Sequence, residues 1–289
     1  MLNTLKQKLV QSGTHGGPDL EHSWSHQVRF DTAQIHLLKP GSLIEERVPS
    51  SYPCQLDAAD FATNQAQASQ LRRTLHSRIT IASTLWQYRQ PRWYKHQHEP
   101  FTLVTAIWGV EKLKRSLVEP TSTALAQYLK DDYQHHFNDQ GGHNWQIRQK
   151  AIAYCATREY LSEPARVEAY YQQLVNGEAN PAHLAQVLAD YGDYIDSAVN
   201  ADAAHVPTLF EEVTMGAMPW VRFEWGYHGF RPDNLYYASP LDTGHLLLLD
   251  FSFNRLLPDT DQYWLERARE DAAKVVTGTT VQRLALPQD

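Results

Sequence analysis

"RITIASTLWQY" at residues 78–88 and "FTLVTAIWGVEKL" at residues 101–113 decide how this chain is to be read. Both are rich in β-branched and aromatic residues, which suit a pleated, half-buried surface, and "RQPRWYKHQHEP" between them is broken by Pro91 and Pro100. The pair predicts an antiparallel hairpin with a long tip. In the first arm Ile79 and Ile81 alternate with Arg78 and Thr80, whereas Trp86 and Tyr88 fall on the opposite parity. Side chains of a strand alternate faces with a period of two, so a bulge near residues 82–85 is needed to restore one apolar face. The second arm is apolar at both parities, the pattern of a central strand covered on both sides.

Strand signals recur towards the C-terminus. In "MPWVRFEWGY" (218–227) Val221, Phe223 and Trp225 alternate with Arg222 and Glu224; "NLYYASPL" and "HLLLLDFSFNRL" follow, joined by the turn "LDTGH", and the three predict a meander. Near the N-terminus, "QIHLLKPGSLIEERVPSSYPC" predicts a short strand near 34–38, a turn at Pro40–Gly41 and a second short piece near 43–48.

Helical signals lie between and after these strands. "TSTALAQYLKDDYQHHFND" (121–139) starts at a Thr121 or Ser122 cap and is stopped by Gly141. Ser162 and Pro164 open a helix bearing Val167, Tyr170, Tyr171 and Leu174, and Pro181 opens another with Leu184, Val187, Leu188, Tyr191 and Ile195 on one stripe. These two read as a helical hairpin. "NWQIRQKAIAYC" (144–155) alternates Trp145 and Ile147 with Gln146 and Arg148 and reads as another strand. Asp259 with Gln262 makes a capping-box start for a last helix carrying Trp264, Ala268, Ala272 and Val275, ended by Gly278.

The order lacks the βαβ rhythm of a parallel sheet. The expected fold is α+β: one or two antiparallel sheets with helices packed on one face and a central helical hairpin. Residues 1–28, with "SGTHGGP" and no steady period, are expected to be a mobile N-terminal segment, leaving 29–289 as a single domain. Its strand-rich stretches, about 30–160 and 205–289, have the look of two similar halves joined by the hairpin.

A chain of 289 residues, 42% hydrophobic, carries enough apolar material for a sizeable core. No stretch reaches the roughly 20 apolar residues of a spanning helix, and Lys6 and Lys8 interrupt any secretory apolar core at the start. Cys54 and Cys155 are far apart and outside any CxxC pattern, which suits reduced thiols and a cytoplasmic location. The net charge of −7 argues against a general affinity for nucleic acid or anionic lipid. Charge is nevertheless segregated. Residues 66–115 carry Arg72, Arg73, Arg78, Arg89, Arg92, Lys95, Lys112, Lys114 and Arg115 against only Glu99 and Glu111, while 156–213 is acidic. Either a partner is steered by these fields or the two segments pair with each other.

Two groups of residues carry the functional expectations. The hairpin tip interleaves Trp86, Tyr88, Trp93 and Tyr94 with Arg89 and Arg92, and "EWGYHGFRPD" adds His228 and Arg231. Trp, Tyr and Arg dominate protein-binding hot spots, and the overall acidity favours a protein over bases as the thing bound. The second group is histidine-rich. On a wheel of about 100° per residue, His136 falls within the stripe of Leu125, Leu129 and Tyr133 with Asp132 one turn below, while His135 falls beside Asp131 on the wet side. An Asp132–His136 pair has the chemistry of an oriented general base, or of a buried histidine satisfied by its carboxylate. His96 and His98 share a face at strand spacing, and with His143 or His76 would suit a zinc or nickel ion.

GxGxxG, GxxxxGK[ST], GxSxG and HExxH are all missing from the sequence. The residues therefore favour a non-catalytic protein-binding protein of a bacterial accessory, adaptor or toxin-neutralising type, with no cofactor. The alternative is a metal- or histidine-dependent hydrolase.

Overall fold

The computed structural model describes residues 15–41, 56, 77–89, 100–156, 206–225, 234–255 and 262–284. Among them the chain forms ten strands and three helices. In chain order these are β1 (His15–Gly16), β2 (Asp19–Arg29), β3 (Ala33–Gly41), β4 (Ser77–Arg89), β5 (Pro100–Lys112), α1 (Ser122–Asn138), α2 (His143–Ala156), β6 (Glu211–Met215), β7 (Met218–Trp225), β8 (Asn234–Pro240), β9 (His245–Arg255), α3 (Gln262–Thr277) and β10 (Thr279–Arg283). The residues fall into two compact units. One comprises Met1–Leu125, Glu211–Arg222 and Asn234–Asp289; the other comprises Ala126–Phe210 and Phe223–Asp233.

In the first unit, a seven-stranded antiparallel sheet has the order β1-β4-β5-β9-β8-β7-β6, and a separate three-stranded sheet has the order β10-β3-β2. The opening hairpin is present as β4 and β5, paired from Ser77↔Lys112 to Arg89↔Pro100. Its register shifts between Thr80 and Ala82, one residue before the expected bulge. That shift does what parity demanded: Ile79 lies in the core before it, Ile81 at it, and Ala82, Trp86 and Tyr88 after it. The second arm lies between β4 and β9, well inside the sheet, and this accounts for its apolar residues at both parities. The meander β7-β8-β9 forms as read, with β6 added as a further hairpin arm on Met215↔Met218.

The expected arrangement of helices on one face of the sheet is corrected. What meets the core face of the large sheet is a second sheet: Val28, Phe30, Ala33, Ile35 and Leu37 share one apolar cluster with Ile81, Trp86, Trp108, Leu249 and Phe251. Among the described helices only α3 contributes to this cluster, through Trp264, Leu265, Ala268, Ala272, Val275 and Val276. The small sheet escaped the sequence reading because β10 joins β3 from the far end of the chain, with Val281 opposite Ile35. A further difference is that residues 19–28, expected to be mobile, are part of β2. The expected helical hairpin at 162–198 and the short piece at 43–48 lie outside the described residues.

In the second unit, the expected strand at 144–155 is a helix, α2. Two alternations of apolar and polar residues are too few to fix a period, and the Gln, Lys and Ala that follow favour helix. Among its described side chains the buried ones, Asn144 and Ile147, are three apart, as on a helix face. Gly141, at a φ of 89°, makes the left-handed exit from α1 that a side chain would resist, so α1 stops where the glycine pair predicted. At the other end Thr121 is the cap, its Oγ1 accepting the Ala124 N–H at 3.2 Å.

Candidate functional site

The histidine-rich helix end is arranged differently from its wheel. Asp132 is buried, but His136 is exposed, its ring edge-on to Phe137 with centroids 4.8 Å apart. The covered face drifts around the helix, so that at this end it centres on Phe137, about 100° round from His136. Here the aromatic partners of this face, Phe210, Phe223 and Trp225, gather around Tyr133 and Phe137. His135 points to water, as expected, but its Nδ1 lies 2.7 Å from Asp139 Oδ2, and Asp131 accepts from Gln127 instead. His143 opens α2, half-buried. Among the described residues no group of three or more His, Cys, Asp or Glu is placed to hold a metal ion; His76, His96 and His98 lie outside those residues.

Two of the expected partner-binding residues are core. Trp86 and Tyr88 are 1% and 0% exposed, which removes them from any binding surface; the bulge in β4 turns both inward. Tyr88 instead donates its hydroxyl proton to Asp271 Oδ2 of α3 at 2.8 Å, and Trp86 Nε1–H points at the same hydroxyl at 3.4 Å. Lys274 Nζ sits 2.8 Å from the other Asp271 oxygen. Burial, then the Asp271 charge, push the Tyr88 phenol well above its ordinary range, so it stays a neutral donor. Arg89 is exposed at the end of β4, whereas Arg92, Trp93, Tyr94, His228 and Arg231 lie outside the described residues.

A buried cluster of charge in the first unit lies outside the expected sites. Arg78 of β4, 4% exposed, places Nε 2.7 Å from Glu111 Oε1 and Nη1 3.2 Å from Asp250 Oδ2. Arg78 and Glu111 are direct cross-strand partners, and Asp250 is contributed by β9 on the other side of β5. One guanidinium thus ties three strands together. Burial opposes the charge on Arg78, but the two carboxylates outweigh it and hold the group more firmly protonated than usual. Tyr236 of β8, opposite Asp250 in the ladder, is buried beside them. A faint signal was available in the sequence. Asp250 is a lone acid inside "HLLLLDFSF", and such a residue is buried only with a partner.

No family model, no curated protein and no solved structure matches this chain. The surface itself therefore carries the functional reading. Strand β2 is an edge of the three-stranded sheet and is exposed along most of its length. Trp24 lies on the same side as the buried Val28, yet it is 71% exposed, because the strand runs past the end of the core there. Leu20 and Leu38, 37% and 39% exposed, are near it in the same sheet. Between Asp19 and Trp24 the register with β3 shifts, with Asp19 Oδ1 accepting the His22 N–H at 3.1 Å. Among the described helices none is long and apolar enough to cross a membrane.

Proposed function

We propose that this is a non-catalytic protein-binding protein, of an accessory, adaptor or toxin-neutralising type, whose contact surface includes the β2 edge. The observation that carries the reading is Trp24, a large aromatic side chain left 71% exposed on an edge strand. Tryptophan is enriched among the residues that dominate binding energies, and an edge strand presents backbone groups to a partner strand. Arg89, with Arg92, Trp93, Tyr94, His228 and Arg231, stays in the proposed contact set on the strength of residue type. A cytoplasmic location, with Cys54 and Cys155 as reduced thiols, and a bacterial source go with this proposal. The acidic balance of the chain supports a protein over nucleic acid as the partner.

The test compares what the wild-type chain and its Trp24→Ala and Arg89→Ala variants retain from an extract of the cells that make it. A protein held by the wild type and reduced at least about tenfold in Trp24→Ala, the loss of about 1.4 kcal/mol, supports the reading. Retention unchanged by both substitutions, or no specifically retained protein, overturns it.

A further inference from the structure

We draw no further inference here: the strongest candidate, the outer edge of the three-stranded sheet where β2 carries the exposed Trp24 and Leu20, is an edge for which nothing in the structure shows what covers it.

Discussion

Arg78 reaches Asp250 by passing over Gly109. A Cβ on Gly109 would lie 3.0 Å from both Cγ and Cδ of Arg78, so the absence of a side chain on β5 is what lets an arginine from β4 meet a carboxylate from β9. The arginine stem has little room to give way, because its head is held by two carboxylates in a buried setting. Gly109→Ala is therefore expected to destabilise the fold by about 1–3 kcal/mol, the usual cost of overpacking, despite alanine's lower backbone entropy. A urea unfolding midpoint equal to or above that of the wild type would show that the stem moves aside.

Removing the cation should cost more than crowding it. Arg78→Met leaves Glu111 and Asp250 without the guanidinium, and a loss of about 3–5 kcal/mol is expected from breaking such a buried pair. Replacing Glu111 and Asp250 by Gln and Asn in the same chain should recover part of that loss, since no uncompensated charge then remains. Additive effects of the three substitutions in denaturant unfolding would rule out the coupling.

The β8–β9 turn should make stability depend on acid. Asp242 Oδ1 accepts the Gly244 and His245 N–H groups at 2.7 and 2.8 Å, His245 Nδ1 lies 3.0 Å away, and Thr32 donates to Oδ2. Partial burial raises the carboxyl, but these partners outweigh it and bring it below its ordinary value of 3.8. A group lowered on folding contributes stability above its unfolded value and loses it as pH falls through the folded one. Wild-type stability should thus drop below about pH 4 more steeply than that of Asp242→Ala, which should itself cost about 1–3 kcal/mol at neutral pH. Parallel pH profiles for the two proteins would refute this.

Tyr88 gives the opposite sign. Burial and Asp271 raise its phenol above the ordinary 10.0, so its contribution is complete below that value and is lost as pH rises towards the folded one. Tyr88→Phe strips Asp271 of one donor and Trp86 of its acceptor, and should cost about 1–3 kcal/mol at neutral pH. The same variant should be less sensitive than the wild type to alkali above about pH 10. Following ultraviolet absorbance and unfolding together across that range checks both statements; ionisation of Tyr88 in the folded protein would contradict them.

Trp24 should separate binding from folding. Its side chain is mostly in water, so Trp24→Ala is expected to shift stability by no more than about 0.5 kcal/mol while weakening partner retention. A thermal midpoint lowered by many degrees would assign the residue to the fold instead.

Local patterns carried the reading where the partners lie close in sequence. The parity break between Ile81 and Trp86 located the β4 bulge to within a residue, and the Gly141 stop and the closing helix were legible for the same reason: each is set by neighbours a few positions away. "NWQIRQKAIAYC" failed because its alternation is too brief to outweigh the helix preference of the residues after it. The placement of His136 failed because the covered face drifts around the helix and at this end centres on Phe137.

The sequence by itself determined the central hairpin, the meander and the helix that ends them, since strand parity and helix caps are short-range chemistry. Only the tertiary structure decided that a second sheet, made by residues 19–41 and 279–283, closes over the first, and that Trp86 and Tyr88 belong to the core it closes. The same holds for Arg78 with Glu111 and Asp250, of which only the first two entered the charge balance read from the sequence. Pairings between strands and between buried charges depend on which segments meet across long stretches of chain, and one sequence does not encode that meeting in any local period.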